Sequence, residues 1–225
     1  MSRMRTPVVI VNFKVYAEVE GPRSVALADA CQEVSDDTGI TIAVCPPMTE
    51  LAAVAKAVTV PVLAQHVDAR KPGASTGWTT PELIKASGAV GTLLNHSEHR
   101  MVLADLALAV EMCKVSGLGT CVCTDTAATS AAAASLDPDF IAVEPPELIG
   151  GDISVTDANP DIISKAVIAV RRIDEGIGVL CGAGIKNGRD VKKAVELGAA
   201  GVLLASGVVK AQEPRKVLAD LVQYL

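Results

Sequence analysis

Several polar side chains stand at or just past the ends of short apolar runs: Asn12 and Lys14, Gln65, Asn95 and His96, and Glu144. Glu144 closes Phe140-Ile141-Ala142-Val143, and Pro145-Pro146 stiffen the backbone before Glu147-Leu148-Ile149-Gly150-Gly151. A carboxylate at a strand's C-terminal end, then a stiff joint, then a glycine tip, suits a general base beside a movable lid over 145–155. A positioned base of this kind contributes about 10²- to 10⁴-fold in rate. His96 offers a donor to a substrate oxygen. Lys14 supplies local positive charge in a chain whose net charge is −6. The glycine turns Gly182-Ala183-Gly184 and Ala205-Ser206-Gly207 let backbone N–H groups approach an anion, and Ser206 opens a short helix whose first N–H groups can point inward. The chemistry indicated is proton transfer on a small anionic substrate.

Taken singly, each residue has a plainer reading: Asn12 as a strand terminator, Lys14 as a surface lysine, His96 as a helix-start histidine, Glu144 as a solvated loop residue. Convergence on one rim is what favours chemistry. Metal binding is the main rival. His96 and His99 are three apart, but the pattern is not H-E-x-x-H and no third ligand is evident. Cys121 and Cys123 lack a second pair at zinc spacing, so no metal is expected. Neither a G-x-S-x-G elbow nor a strand-to-helix G-x-G-x-x-G turn is present.

The elements that must position these residues alternate along the chain. Strands are expected at 7–12, 40–45, 60–65, 89–94, 119–124, 140–143, 177–181 and 200–204. Helices are expected from 23, with helical spacing through 34 and Gly39 closing the helix, then at 49–57 with Thr49 as cap, from 79–82 onward, 103–115, 126–135, 159–172, 187–197 and 214–224. The helix at 103–115 reads as amphipathic, and Cys121 and Cys123 share a strand face. Alternation of this kind implies a parallel sheet with helical crossovers. A doubly wound open sheet is possible. Eight units filling residues 1–225, with near-continuous apolar strands, favour a single-domain (β/α)8 TIM barrel, which carries its active site at the C-terminal strand ends.

Composition agrees. Hydrophobic residues make up 50% and aromatics only 2%, so the core must be Val, Ile, Leu and Ala. With pI near 5.1 and no basic run, a nucleic-acid partner is not expected. No signal peptide and no membrane span are read, and the six cysteines are expected to be reduced core residues, so the expected localisation is cytoplasmic.

The motifs Asn12-Phe13-Lys14, His96-Ser97-Glu98-His99-Arg100 and Glu144-Pro145, with both glycine turns, resemble the triosephosphate isomerase family over essentially the whole chain. The resemblance implies that Lys14 clamps the substrate, Asn12 orients the site, neutral His96 is the electrophile and Glu144 the base. The family is itself the standing example of this division of labour and of a lid that excludes water. The substrate-binding set implied is Asn12, Phe13, Lys14, Ile149, Gly150, Gly184, Ala205 and Ser206, with Glu98 behind the lysine. No cofactor is needed, and the substrate is a triose phosphate. Pro145-Pro146-Glu147 replaces the common Pro-Val-Trp hinge, Gly184 a usual serine and His99 a second arginine; with the compact length, these resemble the archaeal branch. Other phosphate-binding barrel isomerases place different acids and bases, and a non-catalytic barrel would not need Lys14, His96 and Glu144 together.

A homo-oligomer is expected, a dimer at least and extending to a homotetramer. The loop 66–78 exceeds the usual strand-to-helix connection of about 2–6 residues and carries the only tryptophan, Trp78. The resemblance places Thr76 at the neighbouring subunit's site. For the second interface, Leu103, Leu106, Leu108, Val110, Met112 and the run 127–134 offer more apolar and small residues than one inner face needs.

Overall fold

The computed structural model describes residues 4–145 and 161–225. Ile149, Gly150, most of the expected lid and the expected helix start at 159–160 lie outside the described residues. The strands are β1 (Val8–Asn12), β2 (Thr41–Cys45), β3 (Leu63–Ala64), β4 (Gly91–Leu94), β5 (Gly119–Thr124), β6 (Phe140–Val143), β7 (Gly178–Cys181) and β8 (Gly201–Leu204). Between and after them run α1 (Pro22–Thr38), α2 (Leu51–Ala57), α3 (Pro81–Ala86), α4 (Leu103–Val115), α5 (Ala127–Ala134), α6 (Asp161–Arg171), α7 (Gly188–Glu196), α8 (Ser206–Val209) and α9 (Pro214–Val222).

The eight strands form one parallel sheet in the order β2-β1-β8-β7-β6-β5-β4-β3. A parallel bridge between Val44 and Val62, with the Val44 amide donating to the Pro61 carbonyl at 2.9 Å, joins the two ends. The sheet thus curls into a (β/α)8 barrel, and the open-sheet alternative does not hold.

Strand alternation divides the core in two. Val8, Ile10, Ala43, Cys45, Leu93, Cys121, Cys123, Phe140 and Ala142 fill the barrel, while Val9, Val11, Ile42, Val44, Leu94, Val122, Ile141 and Val143 pack against the helices. Both faces are buried, which is why the strands read as unbroken apolar runs. Gly201 permits the closest strand approach: a Cβ there would lie 2.0 Å from the Val8 carbonyl oxygen.

The structure departs from expectation at three elements. The third strand shrinks to Leu63–Ala64, because Pro61 has no N–H to give a ladder. Helix α2 starts at Leu51 with Glu50 at its cap position and no side-chain cap bond, so Thr49 does not cap it. Helix α4 is not cleanly amphipathic: Leu106, Ala109, Val110 and Cys113 are buried, yet Leu103 is 64% and Leu108 44% exposed. Among the described residues no helix is long and apolar enough to cross a membrane.

Candidate active site

The inward phase of each strand continues into the site. Asn12 follows Val8 and Ile10, and Glu144 follows Phe140 and Ala142, so both arrive at the C-terminal mouth. Both are buried. The Glu144 amide donates to the Thr124 carbonyl at 2.7 Å, seating the carboxylate against β5. Beneath it lie the inward thiols of Cys121 and Cys123, pushed up by burial and then by the Glu144 charge, so the barrel floor there is neutral.

His96 lies in a turn closed by the His99 amide on its carbonyl at 2.8 Å. Its Nδ1 accepts the Glu98 amide at 3.2 Å, and its Nε2 stands 2.9 Å from Glu144 Oε1. An Nδ1 that accepts carries no proton, so the network assigns a neutral ring whose Nε2–H donates to the carboxylate. The second carboxylate oxygen accepts the Ser97 amide at 3.3 Å. The Ser97 hydroxyl is the one buried side-chain oxygen or nitrogen among the described residues without a partner.

Lys14 reaches the site from a left-handed backbone, φ 50°. Asn12 Oδ1 accepts its amide at 2.9 Å, and Gln65 Nε2 donates to its carbonyl at 2.8 Å and to that of Cys45 at 3.0 Å. The Lys14 ammonium lies 2.7 Å from Glu98 Oε1. Its charge is therefore balanced locally and held at the rim.

These groups line a cavity of about 420 Å³ together with Gly182, Gly184, Ala205 and Ser206. Ala205 sits at the N-cap of α8 with no side-chain cap bond, leaving the first amides of that helix available to a ligand. Gly182 has a different use from the expected one. A Cβ there would lie 2.7 Å from Glu144 Cγ and 2.8 Å from the Val143 carbonyl oxygen, so this glycine makes room for the carboxylate's stem. Phe13 is fully buried in the outer layer, its amide on the Cys45 carbonyl at 3.0 Å, and its side chain does not line the cavity. No group of three His, Cys, Asp or Glu among the described residues could hold a metal ion.

Sequence reasoning missed Tyr16, which lines the cavity with the Lys210 ammonium 4.4 Å from its ring centre, and Lys186, which also lines it. The spacing of Asn12, Lys14 and Tyr16 two apart was the available signal for the first. Lys186 follows the second glycine turn and had none.

Thr76 is exposed in the β3–α3 loop. That loop is braced by Asp68, which accepts the Thr79 amide at 2.7 Å, and by His66 stacked on His99 with ring centres 4.1 Å apart. Burial, and secondarily His99, hold His66 below its usual range against the pull of Asp68. Arg70 lies over the Trp78 ring at 4.4 Å, yet Trp78 remains 47% exposed.

A carboxylate and a neutral imidazole 2.9 Å apart, beside a lysine and two glycine turns on the C-terminal rim, define a (β/α)8 barrel equipped for proton transfer. The sequence profile of the family described as "Triosephosphate isomerase" matches residues 7–225. The triosephosphate isomerase of Methanothermobacter thermautotrophicus is 51% identical over 96% of this chain and 95% of its own length. That of Methanoculleus marisnigri is 50% identical over 99% of this chain and 100% of its own, and that of Methanocaldococcus jannaschii 48% over 96% and 99%. The chain belongs to the triosephosphate isomerase family.

Proposed function

We propose that the chain interconverts dihydroxyacetone phosphate and D-glyceraldehyde 3-phosphate, as an aldose–ketose isomerase of glycolysis and gluconeogenesis. The observation that carries the reading is the His96–Glu144 pair, a base and a neutral donor at hydrogen-bond distance on the barrel's active rim. The Nε2–H that meets Glu144 is the donor a substrate carbonyl oxygen would take over. The carboxylate is then free to remove a proton from the adjacent carbon and return it to the carbonyl carbon, while the hydroxyl proton on the adjacent carbon's oxygen passes to the former carbonyl oxygen by way of His96 Nε2. As that proton leaves, negative charge grows on the oxygen that faces His96, and Lys14 is close enough to the same cavity to stabilise it. The glycine turns with Gly184, Ala205 and Ser206 receive the phosphate, joined by Ile149 and Gly150 of the lid. Asn12 and Glu98 hold Lys14 in place, as their 2.9 Å and 2.7 Å bonds support. Nothing in this sequence of steps needs a cofactor. A coupled assay of triose phosphate turnover by the purified chain tests the reading, and absence of turnover with correctly folded protein would contradict it.

The enzyme works in the cytoplasm as one barrel domain spanning residues 1–225 and as a homo-oligomer. The β3–α3 loop, with its half-exposed Trp78 and exposed Thr76, supports docking of this loop against a second copy beside Lys14. The exposed Leu103 and Leu108 of α4, and the small residues of α5, support a second interface and a tetramer.

A further inference from the structure

Asn95, immediately before His96, has a left-handed backbone with φ 57°. In β4, Leu93 points into the barrel and Leu94 outward. Carried on unbroken, that alternation would send Asn95 inward and His96 away into the helical layer. The left-handed residue breaks the phase, and His96 meets Glu144 instead. Side-chain-bearing residues resist this conformation, Asn less than most.

The Asn95 side chain is held at both its atoms. Nδ2 donates to the Cys123 carbonyl at 2.9 Å, and Oδ1 accepts the Met101 amide at 2.9 Å. The first bond fastens the His96 turn to β5. The second closes the turn on itself. Arg100 adds a donor to the Asn95 carbonyl at 3.0 Å and lies 3.8 Å from Asp125. The next carbonyl along β5, that of Thr124, is the one that accepts the Glu144 amide. Consecutive carbonyls of one strand therefore anchor the donor and the base.

We propose that Asn95 is a positioning residue that sets His96 Nε2 against the Glu144 carboxylate by fastening the His96 turn to the end of β5. The inference rests on the roles proposed above for His96 and Glu144. Glycine could supply the left-handed backbone alone, but only a side chain with both a donor and an acceptor makes the two bonds.

Asn95→Gly keeps the backbone accessible and removes both bonds. A misplacement of about 1 Å costs roughly 100-fold in rate, so kcat should fall about 10- to 100-fold. The inhibition constant of inorganic phosphate should stay within about two-fold, because the phosphate turns keep every group that meets the anion. The His96 imidazole resonance, assigned with His96→Gln, should shift. A merely structural role would lower the melting temperature while leaving kcat per folded site and that resonance in place, and this result overturns the proposal. Should Asn95→Gly fail to fold, Asn95→Asp decides, since it sets an oxygen against the Cys123 carbonyl while retaining the Met101 bond. Wild-type kcat in folded Asn95→Asp, or failure of both variants to fold, equally overturns it. The isomerase reading fails separately: wild-type protein without turnover contradicts the activity, and His96→Gln at the wild-type rate contradicts the role of His96.

Discussion

Glu144 is buried yet keeps two donors, the His96 Nε2–H and the Ser97 amide, and its stem occupies space that only a glycine at 182 leaves open. Gly182→Ala should therefore displace the carboxylate: overpacking of this kind costs about 1–3 kcal/mol in stability, and kcat should drop with it. A crystal structure of that variant with Glu144 unmoved and full activity would show that the space is not needed. Lys14 is held differently, by its backbone bonds to Asn12 and Gln65 and by Glu98 at its tip. Lys14→Ala should raise KM and lower kcat together, about 10²- to 10³-fold in the rate, because the charge serves both bound substrate and the developing oxyanion. Steady-state kinetics decide, and a fall in kcat at fixed KM would mean that Lys14 does not clamp the substrate. Residue types and strand-end positions made Asn12, Lys14, His96 and Glu144 legible in the sequence. The left-handed turn at Asn95 was not, since Asn also ends strands with an ordinary backbone, and the purpose of Gly182 appears only when β6 and β7 lie side by side.

At the scale of elements, the chemistry depends on strand ends and caps. Asn187 accepts the Arg189 and Asp190 amides at the start of α7, the helix that follows the Gly182 turn. Asn187→Ala should cost about 0.5–2 kcal/mol of stability, measured by denaturant unfolding, with the turn's phosphate affinity largely retained. An unchanged midpoint would assign the cap no energetic role. The alternating pattern made α1, α4, β5 and α9 readable almost to the residue, because each carries a long apolar period or an unambiguous Gly or Pro boundary. β3 and α2 were less legible. Pro61 interrupts the first, and competing polar residues at 49 and 50 blur the start of the second. The outward leucines of α4 could not be separated from its inner face by hydrophobicity alone, since both are apolar.

For the whole molecule, barrel closure buries all six thiols. Burial pushes Cys31, Cys113 and Cys181 up to about 12. A thiol reagent at neutral pH should leave the native protein unlabelled and label every cysteine after unfolding; rapid native labelling would contradict the packing. Light scattering should return a mass of at least two chains, and a fully active monomer would remove the proposed role of Thr76. The central claim is that Glu144 moves the proton between the two carbons. Its most direct test is turnover by Glu144→Gln measured beside the wild type, with binding of a phosphate-bearing competitive inhibitor followed in both. Loss of the base should cost about 10²- to 10⁴-fold in kcat while the inhibitor still binds. Comparable turnover in the two proteins would show that another residue carries the proton.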